Sequence, residues 1–145
     1  MKKGTLGDSA LSESQERAFS YYQRLGRVRK FVETNYRHRI SLSDVAEIAE
    51  LETTYFSSYF HQKVGIRFRE YLSLLRLRKA VELVRASDRT LPEVAREVGF
   101  GDYRAFERAV RKYTGMTPRK LQELERATVR SGKKKPVVGQ ERGRQ

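Results

Sequence analysis

Residues 68–87 read FREYLSLLRLRKAVELVRAS, and the rest of the chain is organised around them. The stretch holds no glycine or proline and consists mainly of good helix formers: Leu, Arg, Ala, Glu and Lys. Phe68, Tyr71, Leu72, Leu75, Ala80, Leu83 and Val84 recur at three- and four-residue steps, the pattern of an apolar stripe along one helix. Twenty helical residues at ~1.5 Å each make a rod of roughly 30 Å. On either side of it lies the same kind of segment: a short helix, a turn and a second helix.

Before the rod, Ser41-Leu42-Ser43-Asp44 carries a start signal, with Ser41 as N-cap and Asp44 at the third position. Leu42, Val45, Ala46 and Ala49 form a stripe, and Glu50-Leu51-Glu52 forms a turn. The helix that follows runs to Val64 and buries Phe56, Phe60 and Tyr59, with Gly65 as its stop. After the rod the pattern returns. Thr90 caps, Glu93 answers it, and Pro92 is tolerated in the first turn. Leu91, Val94, Ala95 and Val98 form the stripe, and Gly99-Phe100-Gly101 the turn. Asp102 then caps a helix from Tyr103 to Tyr113 that buries Phe106, Ala109, Val110 and Tyr113, and Gly115 closes it. Thr117-Pro118 starts a short final helix with Leu121 and Leu124 facing in.

Ala46 matches Ala95, Leu51 matches Phe100, Phe56 matches Phe106 and Gly65 matches Gly115. This is an internal repeat, offset by 49 residues before the turn and 50 after it. A helix, a tight turn and a second helix with a polar outer face is the helix-turn-helix arrangement. The expected fold is therefore all-α, with about seven helices in two helix-turn-helix subdomains joined by a long linker helix.

Composition narrows the partners. The 145 residues carry a net charge of +13 with a pI near 10.3, which favours a polyanion. Residues 1–20 are net zero, 21–124 are net +8 and 125–145 are net +5, so the basicity is not confined to a tail. Nucleic acid is the polyanion that suits paired helix-turn-helix heads. The rod is also close to the ~34 Å turn of B-form DNA. A direct repeat predicts tandem, not palindromic, half-sites about one helical turn apart, occupied by a monomer.

Other classes fall away. Cysteine is absent, which excludes disulfides, thiolate metal sites and cysteine nucleophiles. His38 and His61 are the only histidines and have no company for a metal site. No nucleophile–base–acid constellation is present, so neither catalytic residue nor cofactor is expected. The start, MKKGTLGDSALSESQ, has no apolar run, and a cytoplasmic protein without membrane contact is expected.

The run from Gly99-Phe100 through Asp102, Phe106 and Arg108, then Lys112, Gly115, Thr117 and Pro118, resembles the DNA-binding domain of the AraC/XylS transcription regulators. The G-F-x-D-x-x-x-F-x-R stretch followed by G-x-T-P is the specific part. Phe68, Tyr71-Leu72, Arg76-Leu77, Ala80 and Leu83 look like that family's linker helix, and Ser41 through Gly65 like its first helix-turn-helix. The resemblance covers roughly residues 24–124. It implies two recognition helices in successive major grooves on one DNA face. Many members also carry a separate ligand-binding domain. About twenty residues precede the domain here, so the expectation is a small stand-alone member governed by its abundance; a fragment of a longer regulator is the alternative.

On the second recognition helix Phe106 and Val110 face the core, leaving Tyr103, Arg104, Glu107, Arg108 and Arg111 outward. The resemblance places base contacts at Tyr103, Arg104, Glu107 and Arg108. Arginine forks onto guanine O6 and N7, whereas phosphate contact or plain solvation is the alternative for Arg104 and Arg108. Glu107 either accepts from cytosine N4 or orients a neighbouring arginine. On the first recognition helix Thr54, Ser57, Ser58 and His61 face out, and Thr54, Ser57 and Ser58 are its base-reading candidates. Ser58 stands where the family usually has arginine, and Glu50 replaces the usual turn glycine. Backbone contacts are assigned to Arg76, Arg111, Lys112, Lys63 and His61.

From Ser41 to Gly65 the net charge is −3, and from Thr90 to Gly115 it is +1. The expected reader is asymmetric, the second head supplying most specificity. Asp44 and Glu47 lie on the first head's outer helix, where they meet RNA polymerase or are simply solvated. Phe19 to Tyr36 reads as a further helix carrying Arg24, Arg27, Arg29 and Lys30, with Arg37 and Arg39 just beyond. It either tracks a phosphate backbone or caps the first core.

The expected organisation is a flexible arm at 1–18, the first subdomain at 19–66, the linker at 67–89, the second subdomain at 90–125 and a disordered basic tail at 126–145. The expected function is a sequence-specific DNA-binding transcription regulator, an activator that contacts RNA polymerase. The alternative is a protein-interaction regulator with weak or non-specific DNA binding.

Overall fold

A computed structural model describes residues 11–132. Residues 1–10 of the expected arm and 133–145 of the expected basic tail lie outside them. Among the described residues there are eight helices and no strand: α1 (Glu13–Tyr21), α2 (Gln23–Asn35), α3 (Leu42–Ala49), α4 (Thr53–Val64), α5 (Phe68–Ala86), α6 (Leu91–Glu97), α7 (Tyr103–Thr114) and α8 (Pro118–Arg130). Two compact units divide within α5, between Ser73 and Leu74.

The repeat is written into the backbone hydrogen bonds. Leu51 N–H donates to Ala46 O at 2.9 Å, and 49 residues on Phe100 donates to Ala95 O at 3.0 Å. Glu50 donates to Glu47 O, as Gly99 does to Arg96 O. Both first helices start with a reciprocal capping box, Ser41 with Asp44 and Thr90 with Glu93. Both second helices are 12 residues long and end on a left-handed glycine, Gly65 and Gly115. The two turns are thus one motif built twice.

The turn of the first motif needs a left-handed residue after α3, and the chain supplies Glu50 (φ 62°, ψ 42°) where the second motif has Gly99 (φ 103°). Among the described residues Glu50 is the only non-glycine with positive φ. The glycine-to-glutamate exchange therefore leaves the turn geometry intact and stores strain in it. Glu50→Gly is expected to stabilise the first unit by roughly 0.5–1 kcal/mol, since relief of the left-handed strain outweighs glycine's added chain entropy. An unchanged or lower urea midpoint for that variant would show that the turn is unstrained.

In the first unit, edge-on and tilted rings form the core: Phe60 lies 5.5 Å from Phe68, 5.7 Å from Tyr71 and 6.0 Å from Phe19. Leu25, Val28 and Val32 of α2 and Val45, Ala46 and Ala49 of α3 complete it. The basic residues of α2 are engaged here. Arg24 Nη1 donates to Ala49 O at 2.6 Å and Arg27 Nε to Ile48 O at 3.4 Å, so two arginines cap the carbonyl end of α3. Arg29 bonds Glu16 at 2.8 Å and Glu33 at 3.2 Å with its guanidinium over the Phe19 ring. Of the two readings of this helix, the core cap accounts for these three arginines.

Three expectations change. The arm drawn at 1–18 is already helical from Glu13, because Ser12 and Gln15 form a capping box and Phe19, only 3% exposed, anchors the turn. The single helix read over Phe19–Tyr36 is two, broken where Tyr22 adopts an extended conformation. The first residues of the tail drawn from 126 are helical, since α8 continues to Arg130 and is not short. Arg126 secures that extension by donating to the carbonyls of Val84, Ser87 and Arg89 at 3.0–3.4 Å, closing the end of α5.

The linker stripe is also corrected. Phe68, Tyr71 and Leu72 are buried in the first unit, and Leu75, Leu77, Ala80, Val81 and Val84 in the second. Each half of the helix thus serves its own core, and Leu77 and Val81 belong to the buried set that the single expected stripe left out. Val94, Ala95, Val98, Phe106, Val110 and Leu121 are buried in the second unit, with Phe100 5.5 Å from Phe106.

Candidate nucleic-acid interface

Asp102 starts α7 by accepting the Ala105 N–H at 2.8 Å, and Phe106, Ala109 and Val110 fix which side turns inward. Arg104, Glu107, Arg108, Arg111 and Lys112 are left exposed. Arg104, Arg108 and Arg111 recur at steps of four and three and so share one face. Tyr103 is half-buried, its ring 5.6 Å from that of Phe106. Burial raises the pKa of its hydroxyl, helped by the Glu107 charge and opposed by Arg119, so the hydroxyl is a donor at neutral pH. Lys112 is drawn over the Tyr113 ring at 5.3 Å.

Arg119, on the first turn of α8, went unremarked in the sequence because it lies outside the recognition helix. Folding brings it beside Tyr103, and both line an open cleft of about 630 Å³ with Glu107, Arg89, Thr90 and Thr117. Its only sequence signal was a basic residue directly after a Thr-Pro helix start.

The first recognition helix, α4, is polar but nearly uncharged. Phe56, Phe60 and Val64 are buried, Thr54, Ser58 and His61 are exposed, and Ser57 is half-buried, as is Tyr59, which was expected in the core. Lys63 is half-buried, with its ammonium 5.2 Å from the Tyr22 ring and 5.9 Å from Tyr59. Arg76, on α5, is half-buried, and desolvation lowers its pKa from the ordinary arginine value. It stands 49 residues beyond Arg27, at the same point of the repeat.

Glu52 caps α4 where the second motif has Asp102. The Tyr55 N–H, donating at 3.0 Å, and then the Thr54 N–H hold its carboxylate pKa below the usual value. A carboxylate depressed in the folded state stabilises fully above its unfolded pKa of about 4.3, and that contribution is lost as pH falls through the folded value. The stability gap between the parent and Glu52→Gln is thus expected to shrink between neutral pH and about pH 3. A gap that stays constant in urea titrations across that range would rule out this cap as the cause.

Among the described residues no group of three or more His, Asp or Glu side chains is arranged to hold a metal ion. No helix among them is long and apolar enough to cross a membrane.

Residues 45–123 match a family described as a helix-turn-helix domain. The Msm operon regulatory protein of Streptococcus mutans is 25% identical over 115 residues, covering 79% of this chain and 40% of its own. The chain spans about two fifths of the length of the curated relatives it matches. Two solved structures share the fold. One is the DNA-binding domain of the global transcriptional factor AdpA in complex with a target DNA, with a TM-score of 0.65 and 22% identity over 70% of this chain and 92% of that one. The other is an AraC-type regulator from Chromobacterium violaceum, with a TM-score of 0.63 and 24% identity over 73% of this chain and 91% of that one.

Proposed function

The chain belongs to the AraC-type helix-turn-helix family of DNA-binding transcription regulators, and on that premise we propose that it is a sequence-specific activator that reads tandem half-sites with α4 and α7. The two recognition helices enter successive major grooves on one face of the duplex, and one copy of the chain suffices. The observation that carries this reading is the exposed strip of Arg104, Arg108 and Arg111 on a helix whose opposite side is locked by Phe106 and Val110. Arg104 and Arg108 read bases together with Tyr103 and Glu107, and Arg111 and Lys112 hold phosphates. The first head contributes Thr54, Ser57 and Ser58 to base contact, with His61, Lys63 and Arg76 toward the backbone. Asp44 and Glu47, exposed on α3, are the surface offered to RNA polymerase.

The test is fluorescence anisotropy with duplex DNA between about 50 and 200 mM salt. The expected outcome is a log affinity that falls linearly and steeply with log salt, as counterions leave each contacted phosphate. A flat dependence or no binding would replace this reading with that of a protein-interaction regulator. The uncharged reading face of α4 is the one observation that favours that second reading.

A further inference from the structure

Beside Thr54 and Ser58, α4 presents Tyr55 and Tyr59, one turn apart. Their rings belong to a longer series: Tyr55 to Tyr59 at 6.1 Å, Tyr59 to Tyr22 at 6.3 Å and Tyr22 to Tyr21 at 4.8 Å. The ends of this series are open to solvent, Tyr55 at 57% and Tyr21 at 78%. The Lys63 ammonium lies over its middle, and Lys63 and Arg17 line a groove of about 610 Å³ with Tyr21 and Tyr22.

We infer that this tyrosine series, with Lys63 and Arg17, is a surface for the DNA phosphate backbone and gives the first head the hold that its missing arginine does not. The inference rests on the reading that α4 enters a major groove.

Continuity comes first. Tyr55 follows Thr54 and Tyr59 follows Ser58, so each tyrosine is turned about 100° from a groove-facing residue, toward the wall of the groove. Those walls are phosphate, and a groove ~12 Å wide brings them against the flanks of a bound helix. The chemistry fits as well. Tyrosine hydroxyls donate to phosphate oxygens, and the side chain has few rotatable bonds to immobilise. Rings that lean on one another lose still less freedom. Charge agrees too: Lys63 and Arg17 are the cations, and Arg17 makes an exposed pair with Glu13 at 3.5 Å, which water and salt weaken. Glu52, at the N-terminal end, already has its carboxylate engaged by the Tyr55 N–H.

The consequence is unusual for a recognition helix. Hydroxyl contacts neutralise no phosphate and do not discriminate bases, so the tyrosines add affinity with little specificity and little salt dependence, while Lys63 and Arg17 supply the first head's share of the salt slope.

The test uses the full chain with Tyr55→Phe, Tyr59→Phe and Lys63→Met, together with Arg108→Ala as a reference. Phenylalanine keeps the ring packing, so thermal melts of the tyrosine variants should match the parent. Each tyrosine variant is expected to lose roughly three- to tenfold in affinity, equally on duplexes of different sequence and with an unchanged salt slope. Lys63→Met should lower that slope by about one. Tyrosine variants that bind like the parent, while Arg108→Ala loses specificity, would overturn the inference alone. If Arg108→Ala also has no effect, the DNA-reading assignment fails with it. Altered self-association in sedimentation for Tyr21→Ala, with unchanged DNA affinity, would assign the surface to a second copy and overturn the inference.

Discussion

Arg85→Ala is expected to destabilise the second unit by about 3–5 kcal/mol, because it removes one member of a buried ion pair and leaves the other charge poorly compensated. Glu125 has no exposed surface, and Arg85 Nε meets its Oε1 at 2.8 Å. Arg85 is itself only 22% exposed, and its Nη2 is buried without a hydrogen-bond partner. The pair therefore bears a desolvation penalty that its attraction offsets only while both members are present. The repeat suggests how to remove that penalty. Fifty residues before Glu125 stands Leu75, buried on α5 as Glu125 is buried on α8. Replacing both partners with leucine should then lose less than Arg85→Ala, because no carboxylate is left buried. Urea unfolding followed by circular dichroism checks both variants. A single-variant loss below about 1 kcal/mol would mean that water reaches the carboxylate.

Arg108→Ala and Arg104→Ala are each expected to lose about 1–3 kcal/mol of DNA affinity and to relax base preference at one position, the signature of a bidentate contact to guanine. Both side chains are exposed on the strip that α7 turns away from Phe106 and Val110. Loss of a phosphate contact would look different, since affinity would fall uniformly over all sequences and the salt slope would drop by about one. Ser57→Ala and Ser58→Ala should lose less than either arginine variant, because a single neutral hydroxyl makes a weaker contact than a charged fork. Equilibrium titration on a matched set of duplexes separates these outcomes. Equal losses from the two heads would end the asymmetric reading.

Much of the fold was legible because its signals are local. Capping boxes at Ser41 and Thr90, and glycines at 65 and 115, mark helix ends by backbone chemistry that survives in any packing. The linker shows where locality stops. The stripe read there steps by three and four up to Leu75 and then by five to Ala80, passing over Leu77. Leu77 and Val81, both buried, fall outside that stripe, because a single stripe does not anticipate a helix shared between two cores.

The arginines of α2 were ambiguous for a related reason. Nothing along the chain says that the carbonyls of Ile48 and Ala49 lie within reach of Arg27 and Arg24, because the partners are 21 and 25 residues apart. The same distance in sequence hid the pairing of Arg85 with Glu125. The outward residues of α4 and α7 followed from helical spacing once the buried aromatics were identified. The tyrosine series joins Tyr21 and Tyr22 to Tyr55 and Tyr59 and exists only after folding.

The most direct test of a two-headed, asymmetric reader is selection of bound duplexes from a randomised pool, with sequencing of the bound fraction at two salt concentrations. The predicted result is a strong guanine-containing block, set by Arg104 and Arg108, and a weaker block about one helical turn away. Two equally strong blocks, or salt-sensitive binding with no enriched sequence, would contradict it.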